Sequence, residues 1–546
     1  MPVVTFDYQD FIALLGHKIS KAELIEKLPM IGADVDSVDG DAISIEFFPN
    51  RPDLTSVEGI ARAARAFFGY KTGLTTYPLK SSDVVTTVDL SVKTVRPFIA
   101  TALVKNVNMT DALIRSLMDM QEKLHLGLGR NRKKVAIGVH NFEPVTPPFI
   151  YKAVDPSAVS FVPLAKTESM TLDEILENHE KGTAYAHLLK EYNRYPLIVD
   201  SHNNVLSFPP IINGCLTEVT PFTKDLFIDV TGTDPKAVHY ALNIISTALA
   251  ERGGEIHTTT IHDGKTSFVS PNLEPVKKTL SVSYVNATLG TTLSEQQIID
   301  CLAKMGYHAT ISKKDSLSVM IPGWRADILH EIDLVEDVAI GYGFDRFTTD
   351  FVKDLTFGKH LPLHGLCENL RSIMIGLGYN EVTTFTISNE RSEFAQMGLP
   401  QNDCVKIENP IGEDYSCLRV SLLPSMLSIL NENRHHPLPQ QIFELGFIVD
   451  HNAKNRRHLA ALKIDAKANF TACKSLVEAV CRDIGISYEI QESKHLAFIP
   501  GRCASLRKEN VEIGVFGELH PRTISAFSLE HPIIAFELSV DSLGHP

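Results

Sequence analysis

The chain has 546 residues, of which 44% are hydrophobic and 22% charged, and its formal net charge is −14. This length predicts about three to five domains and excludes a single small binding module, and the acidic balance excludes a protein that coats nucleic acid by bulk charge. Eight cysteines without metal-ligand spacing, acidic residues where a signal peptide would be basic, and no apolar run of roughly 18 residues predict a cytoplasmic protein with reduced thiols and no membrane span.

The first predicted domain, residues 1–90, is a small α/β module. Amphipathic helices are predicted at 10–15 and 21–28, and a strand at 42–48. A turn at 49–53 follows. Thr55 or Ser56 can cap the next helix, because each offers a side-chain oxygen to the free N–H groups of a helix start. The predicted unit is therefore strand, turn and helix.

The second predicted domain, residues 91–270, has an α+β pattern. Strands are predicted at 98–107, 135–139, 197–200 and 226–230, between helical patterns at 111–124 and 172–190. Prolines, a glycine and small polar residues in 206–220 and 226–234 can shape a pocket that excludes large ligands. The same residue types also make turns, and an acid in 229–234 can cap a helix near Pro235. From the residues alone, both interpretations stay open.

The densest basic run of the chain lies in the second predicted domain. It follows a glycine-containing loop and consists of Arg130, Arg132, Lys133 and Lys134. Such a run can hold a phosphate backbone. A solvated basic loop is the commoner source of this pattern.

The third predicted domain, residues 271–350, has the size of a helix-turn-helix-like module. A strand at 280–285, a helix start at 294–296, a strand pair near 309–321 and an acidic helix at 328–341 are predicted. Asp333, Glu336 and Asp337 share one helix face, with Asp327 just before it. Four carboxylates can converge on Mg²⁺, which prefers oxygen ligands. The alternative is a solvated acidic face near a helix start.

The fourth predicted domain, residues 351–546, alternates helices with strands. The helices are predicted at 364–377, 422–433 and 475–484, and the strands at 381–387, 441–449, 512–516 and 533–538. A mixed or antiparallel sheet covered by helices is the predicted architecture. The predicted fold class of the whole chain is α+β with several domains.

Motifs along nearly the whole chain point to one family. They are NRPDL at 50–54 with EGIAR at 58–62, PPIIN at 209–213, DVTGTD at 229–234, residues 325–337 with YGFD at 342–345, NP at 409–410, LRVSLLP at 418–424, FELG at 443–446 and GELHP at 517–521. In this order they resemble the β subunits of phenylalanyl-tRNA synthetase in their archaeal and eukaryotic cytosolic form.

The resemblance implies an N-terminal α/β domain at 1–90, an editing domain at 91–270, a B5-type helix-turn-helix-like domain at 271–350 and a class II synthetase-like antiparallel sheet domain at 351–546. The last domain is expected to be catalytically inactive. A class II active site needs a glycine-rich strand followed by an arginine, whereas this domain offers only PGR at 500–502. Arg419 alone cannot organise ATP, metal and amino acid.

The resemblance also implies partners and cofactors. The expected partner is the α subunit in an (αβ)₂ heterotetramer that uses ATP to attach phenylalanine to tRNA(Phe), with the aminoacylation site on the α subunit. Asp327, Asp333, Glu336 and Asp337 are expected to bind Mg²⁺ at a site shared with that subunit.

For the second domain the resemblance implies an editing pocket that hydrolyses tyrosine mischarged onto tRNA(Phe). An apolar synthetic pocket rejects the extra hydroxyl of tyrosine by on the order of 10² at best, and a second pocket that hydrogen-bonds this hydroxyl removes the error. The candidate residues are Gln121, His125, Arg130, Leu206, Pro210, Asn213, Glu218, Thr220, Asp229 and Thr231. Glu218 is predicted to contact the tyrosyl hydroxyl or amino group and Arg130 the terminal phosphates. A positioned water is the predicted nucleophile, since no activated Ser–His pair is visible.

Two other functions compete with a ligase subunit that edits. The chain can be a free-standing editing deacylase, or a purely structural subunit whose editing pocket has decayed. A large inactive catalytic-type domain favours a tight partner over a lone deacylase.

Overall fold

The computed structural model of the chain describes residues 2–349, 351 and 356–543, which belong to two units, Met1–Asp350 and Phe351–Pro546. The predicted domain ends at 350 and 546 lie outside the described residues. Each unit combines helices with more than one sheet. The predicted α+β class with several sheets is therefore confirmed.

The first unit begins with an N-terminal module, a three-stranded antiparallel sheet with helices. Its elements are β1 (Val3–Asp7), α1 (Tyr8–Leu15), α2 (Lys21–Lys27), β2 (Ala33–Asp39), β3 (Ala42–Phe47) and α3 (Val57–Phe67), with strand order β1-β3-β2. Ser56 caps α3 by accepting a hydrogen bond from the Gly59 N–H at 3.2 Å, as predicted. A Cβ on Gly59 would lie 1.9 Å from the Asp53 carbonyl oxygen, so the turn packs directly on the helix and requires glycine.

A large sheet forms the middle of the first unit. Its elements are β4 (Leu79–Val88), β5 (Phe98–Lys105), α4 (Asp111–Leu126), β6 (Val135–Asn141), β7 (Phe149–Val154), β8 (Ser160–Phe161), β9 (Met170–Thr171), α5 (Leu172–Asn178), α6 (Glu180–Tyr185), β10 (Tyr195–Val199), β11 (Val205–Phe208), β12 (Ile212–Asn213), β13 (Leu226–Gly232), α7 (Pro235–Glu251), β14 (Glu255–Asp263) and β15 (Thr266–Ser270). The strand order is β12-β11-β10-β7-β4-β14-β5-β13-β6, with β15 paired to β14 and a separate β8–β9 pair. Helices α4 and α7 contribute to the main core of this sheet.

The end of α7 ties the large sheet to the N-terminal module. Arg252 donates to both carboxylate oxygens of Asp10, at 2.6 and 2.7 Å, and to Glu58 at 2.7 Å. Glu251 pairs with Arg65 at 2.9 Å. These partly buried ion pairs join parts of the chain that are far apart in sequence, so the two parts share one framework.

A small module with a three-stranded sheet follows within the first unit. Its elements are β16 (Val276–Ser281), α8 (Val282–Leu289), α9 (Glu295–Lys304), β17 (His308–Lys313), β18 (Ser316–Ile321) and α10 (Glu331–Tyr342), with strand order β16-β18-β17. The strand predicted at 280–285 is wrong in extent, because Ser281 accepts a hydrogen bond from the Tyr284 N–H and starts α8. The acidic helix is confirmed, but it begins three residues later than predicted, at Glu331.

The second unit is a seven-stranded sheet between two layers of helices. Its elements are α11 (Pro362–Gly376), β19 (Asn380–Glu381), β20 (Ile387–Ser388), β21 (Cys417–Leu418), α12 (Leu423–Glu432), β22 (Gln440–Val449), β23 (Asn455–Ile464), α13 (Phe470–Asp483), β24 (Glu489–Glu492), β25 (Phe498–Lys508), β26 (Val511–Leu519), α14 (Pro521–Ala526), β27 (Ile533–Ser539) and α15 (Val540–Leu543). The order β19-β22-β23-β27-β26-β25-β24 is antiparallel except at β19–β22. One core joins the sheet to α11 and α13, and another joins it to α12 and α14.

Two further predictions from the sequence concern membrane-spanning helices and the state of the cysteines. Within the described ranges, no helix combines the length and the apolar character that a membrane crossing requires. The eight cysteines, which all lie within those ranges, form no disulfide.

Candidate functional site

A small cavity lies where α4, β6, β13 and the β11–β12 hairpin meet. Its volume is about 20 Å³, room for roughly one water molecule. The residues that line it are His125, Ala136, Ile137, Gly138, Ser207, Pro209, Pro210, Ile211, Ile212, Asn213, Asp229 and Thr231. The structure thus brings together five of the ten predicted editing residues: His125, Pro210, Asn213, Asp229 and Thr231.

Strand β13 supplies the two polar residues Asp229 and Thr231. Every residue of β13 is buried, so polar side chains here are costly unless they are hydrogen-bonded. The Asp229 carboxylate lies 2.7 Å from His140 Nε2, and His140 Nδ1 lies 2.8 Å from the Thr217 hydroxyl. His140 has no exposed surface, and Thr217 and Asp229 are each 1% exposed. Sequence reasoning missed both His140 and Thr217.

Arg96 holds the second polar residue of β13. Its Nε donates to the Thr231 hydroxyl at 2.9 Å and its Nη2 to the Thr231 carbonyl at 2.7 Å. Its Nη1 donates to the carbonyls of Arg132 and Lys133 at 3.1 and 3.2 Å. Burial lowers the pKa of Arg96 to about 10, so the guanidinium remains charged at neutral pH.

Two predicted site residues of helix α4 form hydrogen bonds to the backbone of β6. Gln121 Nε2 donates to the Ile137 carbonyl at 2.6 Å, and His125 Nε2 accepts from the Ile137 N–H at 2.9 Å. Burial lowers the pKa of His125 to about 4. The ring is therefore neutral at pH 7, and its proton resides on Nδ1, which has no hydrogen-bond partner. Glu122 Oε1 lies 3.9 Å from Nδ1, beyond hydrogen-bond distance, and Glu122 is not among the residues that line the cavity.

The β11–β12 hairpin forms the wall opposite α4. The Ser207 hydroxyl donates to Asn213 Oδ1 at 3.2 Å, and Asn213 Nδ2 donates to the Val139 carbonyl at 3.4 Å. Leu206 is fully buried in the main core and is not among the lining residues. The hairpin therefore offers amide and hydroxyl groups to the cavity, and Leu206 supports it from the core.

The basic loop turns a different arginine inward than the predicted one. Arg130 is exposed, whereas Arg132 is buried. Arg132 donates to the carbonyls of Pro210 and Ile211 at 3.2 and 2.8 Å and to Glu122 at 2.7 Å. Residues 130–132 all have left-handed backbone angles, φ 47°, 53° and 65°, and this backbone path decides which side chain faces the protein. Arg132 is not itself among the lining residues, but it holds the backbone of two of them, Pro210 and Ile211.

Two other predicted residues lie outside the cavity lining. Glu218 is exposed and follows the short 3-10 turn Cys215–Thr217. Thr220 belongs to a turn in which its N–H donates to the Thr223 hydroxyl and its hydroxyl accepts from the Phe222 N–H. The loop buries Thr217 and leaves the Glu218 side chain exposed. The editing roles of all ten residues stay predictions.

The acidic residues of the small module surround one arginine. Arg325 makes two hydrogen bonds to Asp327, at 2.8 and 2.6 Å, and one to Asp337 at 2.6 Å. Asp337 also accepts a hydrogen bond from the Tyr307 hydroxyl. Two of the four predicted metal ligands are therefore already hydrogen-bonded to the same guanidinium.

The other two predicted ligands have different surroundings. Asp333 Oδ2 accepts from the N–H groups of Leu329 and His330, at 2.7 and 2.6 Å, and so caps the start of α10. Glu336 is exposed, and its pKa is raised by desolvation and by the neighbouring aspartates. In the part of the chain that the structure describes, no three His, Cys, Asp or Glu side chains are placed to hold a metal ion. The donor set suits Mg²⁺ chemically, but its arrangement in this chain alone does not fit a metal site.

Three of the sequence motifs meet beside Arg325. Arg51 and Asp53 form a buried ion pair in which Nε and Nη2 of the arginine each donate to a carboxylate oxygen at 2.8 Å. The charge of Arg325 acts on both side chains. The Arg62 guanidinium lies 4.4 Å from the centre of the Trp324 ring. The NRPDL and EGIAR motifs therefore have a structural role, since they join the N-terminal module to the small module.

In the second unit, the arginine singled out in the sequence is fully engaged. Arg419 donates to the Phe447 carbonyl at 2.7 Å, to the Thr384 hydroxyl at 2.6 Å and to Glu444 at 2.8 Å. Its side chain is 3% exposed. A guanidinium with these partners is not available to a nucleotide phosphate.

Comparisons with known protein families match two parts of the chain. A model described as "Phenylalanyl tRNA synthetase beta chain CLM domain" matches residues 352–540. A model described as "tRNA synthetase B5 domain" matches residues 278–344.

Full-length relatives are also found. The chain is 46% identical to the phenylalanine–tRNA ligase β subunit of Methanothrix thermoacetophila over 541 residues, 99% of this chain and 100% of the relative. It is 46% identical to the corresponding subunit of Methanosarcina acetivorans over 545 residues, 100% of this chain and 99% of the relative. A crystal structure of an N-terminal fragment of the phenylalanyl-tRNA synthetase β subunit from Pyrococcus horikoshii is similar, with TM-score 0.61 and 37% identity, covering 62% of this chain and 99% of the fragment.

Proposed function

The chain belongs to the family of phenylalanine–tRNA ligase β subunits, and we propose that it completes the ligase with an α subunit and hydrolyses tyrosyl-tRNA(Phe) in the cavity beside β13. As a member of this family it is a subunit of an aminoacyl-tRNA synthetase. The observation that carries the editing proposal is the polar lining of this cavity, which combines Asp229, Thr231, Asn213 and the neutral His125.

The chemistry of the lining suits the discrimination that editing requires. Tyrosine differs from phenylalanine by a hydroxyl, so a site with hydrogen-bonding groups favours tyrosine, because phenylalanine would leave those groups unpaired. A water held between the lining groups is the proposed nucleophile. The cavity holds roughly one water, so the bound tyrosyl ester must displace part of the lining, such as the segment around Pro210 and Ile211.

The editing proposal is tested with the matched variants T231V and T233V in the full chain co-purified with its α subunit. Thr231 lines the cavity, whereas Thr233 is exposed two residues later on the same segment. We expect T231V to slow deacylation of Tyr-tRNA(Phe) by about 10-fold or more and T233V to leave it unchanged. A wild-type pair that attaches phenylalanine but leaves Tyr-tRNA(Phe) intact would overturn the proposal and favour a structural subunit.

Aminoacylation itself is proposed to occur on the α subunit. The engagement of Arg419 with Glu444 and its neighbours supports this assignment. We propose an (αβ)₂ assembly that binds tRNA(Phe), phenylalanine and ATP and works in the cytoplasm. The test is phenylalanine charging by this chain alone and by the co-purified pair. Charging by the chain alone would contradict an inactive second unit, and deacylation without any complex would favour a free-standing deacylase.

Mg²⁺ at the acidic helix is a separate proposal. Aminoacylation by this family uses ATP and Mg²⁺ in general. Asp327, Asp333, Glu336 and Asp337 would hold the ion, which would offset the repulsion among these carboxylates. Since the chain alone does not form the site, the proposal requires groups from the α subunit.

A further inference from the structure

A hydrogen-bonded chain of three buried side chains lies behind the proposed editing cavity. Thr217, His140 and Asp229 come from the turn before residue 218, from β6 and from β13. Only Asp229 among them lines the cavity. The types of residue resemble a catalytic triad, so the first question is whether Thr217 can act as a nucleophile.

The geometry excludes a nucleophilic Thr217. Its hydroxyl lies on the far side of His140 from Asp229, and the residue is 1% exposed. In a triad, the hydroxyl faces the substrate and the carboxylate lies behind the imidazole. Here the carboxylate is at the cavity end. The chain of hydrogen bonds therefore acts on Asp229.

The protons of this network have one consistent arrangement with a neutral imidazole. The Asp229 carboxylate can only accept, so His140 Nε2 carries the proton that it donates to Oδ2. His140 Nδ1 then accepts from the Thr217 hydroxyl at 2.8 Å, a shorter contact than the 3.3 Å from this hydroxyl to the Gly214 carbonyl. The carboxylate thus sets the tautomer of His140, and the Thr217 hydroxyl supplies the hydrogen bond that this tautomer needs at Nδ1. His140 in turn occupies one carboxylate oxygen and leaves Oδ1 to other partners.

A glycine makes room for this contact. A Cβ on Gly138 would lie 2.1 Å from Asp229 Oδ2 and 2.6 Å from His140 Nε2. Any larger residue would push the carboxylate and the imidazole apart. The sequence around β6 therefore preserves the distance between His140 and Asp229.

We infer that His140 and Thr217 are positioning residues that orient the Asp229 carboxylate for hydrolysis of the tyrosyl ester. This inference rests on the proposed editing function. Neither residue lines the cavity, so their loss should reduce kcat of deacylation and leave KM for Tyr-tRNA(Phe) unchanged. A carboxylate that is free to rotate loses the alignment that an attacking water requires.

The test compares two substitutions of one residue with a matched control, all in the full chain co-purified with its α subunit. T217V keeps the shape of the side chain but removes the hydroxyl, and T217S keeps the hydroxyl but removes the methyl group. T86V is the control, because Thr86 is a fully buried threonine of the same sheet whose hydroxyl has no partner. Fluorescence of Trp324, the single tryptophan, reports whether the first unit is folded.

We expect T217V to lower kcat of Tyr-tRNA(Phe) deacylation by about 10-fold, with T217S and T86V within about 3-fold of the wild type. A folded T217V with wild-type kcat, or a T217S as impaired as T217V, would overturn the positioning role while the editing function stands. A wild-type pair without deacylation would overturn both. If T217V does not fold, the pair H140Q and H140L replaces it. Glutamine keeps an N–H for Asp229 and leucine does not, so H140Q should deacylate faster than H140L. Equal activity of the two variants would overturn the inference.

Discussion

His125 is a buried base that makes the first unit sensitive to acid. Burial lowers its pKa from the ordinary value of 6.5 to about 4. The unfolded chain therefore takes up the proton first, and stability that is present above pH 6.5 is lost as the pH falls towards 4. We expect this group to remove about 2 kcal/mol from the free energy of unfolding between pH 7.5 and pH 5.

Urea unfolding followed by Trp324 fluorescence measures this effect in the first unit. H125Q should lose less stability than the wild type over the same pH interval, because glutamine does not titrate. H187Q is the control, since His187 is exposed. Equal pH dependence in H125Q and the wild type would contradict the assignment.

Glu393 has the opposite effect in the second unit. Burial raises its pKa from the ordinary value of 4.5 to about 7, although the backbone N–H groups of Val420 and Ser421 partly offset this rise. The folded state retains the proton longer than the unfolded chain, so stability falls as the pH rises from 4.5 to 7. At pH 8, ionisation should cost about 3 kcal/mol.

The substitution E393Q should remove this cost, because an amide resembles the protonated acid. Hydrogen exchange of the α12 amides at pH 8 is expected to be slower in E393Q than in the wild type. E408Q, at an exposed glutamate, should leave the exchange unchanged. Faster exchange in E393Q would show that the carboxylate is needed in its charged form.

At the residue scale, five of the ten predicted editing residues line one cavity, whereas the residues that support them were not predicted. Asp229 and Thr231 were predictable as a group, because polar residues two apart on an apolar strand share one face. The partner of His140 lies 77 residues further along the chain, a separation that spacing arguments do not reach. The choice of Arg132 over Arg130 depends on backbone angles that no local pattern specifies.

Among the elements, α3 depends on one close approach of two backbones. The substitution G59A would place a Cβ 1.9 Å from the Asp53 carbonyl oxygen, so the turn and the helix would have to separate. We expect a loss of more than about 3 kcal/mol in the stability of the first unit, measured by Trp324 fluorescence, because Trp324 contacts Arg62 of α3.

The control for G59A is G365A in helix α11. A Cβ on Gly365 meets no atom within 4 Å. Alanine there should be neutral, or should stabilise α11 by up to about 1 kcal/mol because alanine favours helix. Equal effects of the two substitutions would contradict the close approach at Gly59.

The sequence predicted helices and strands best where apolar periodicity was strong. The buried runs of β5 and β13 and the capped start of α3 are confirmed. The helical pattern at 172–190 is interrupted, because His179 adopts an extended conformation between α5 and α6. The close packing of Gly182 on the Ile175 carbonyl stabilises this bend. Such a tertiary contact is invisible to periodicity.

For the whole molecule, Mg²⁺ binding should depend on assembly. The chain alone is expected to show no tight Mg²⁺ binding in calorimetry, because Asp327 and Asp337 are already paired with Arg325. The co-purified αβ pair should bind the ion, and E336Q should weaken that binding. D345N, at an exposed carboxylate nearby, is the control. Equal binding by the chain alone and by the pair would contradict the shared site.

The family was predictable at this scale because its motifs are spread along the chain in order. The structural role of these motifs could not be predicted from the sequence. The segments at 50–62 and 322–327 serve mutual packing, and their meeting point lies between residues about 270 positions apart, Arg51 and Arg325. Long-range packing of this kind follows from the fold and not from local residue types.

The ion pairs at the end of α7 have a consequence for how this protein can be rearranged in evolution. Excision of the large sheet for transfer to another gene would strip Arg252 of Asp10 and Glu58, and Glu251 of Arg65. Partly buried charges without partners destabilise a fold. Gene fusions and domain swaps that transfer the large sheet should therefore retain the N-terminal module, so that the smallest transferable unit is larger than the sheet itself.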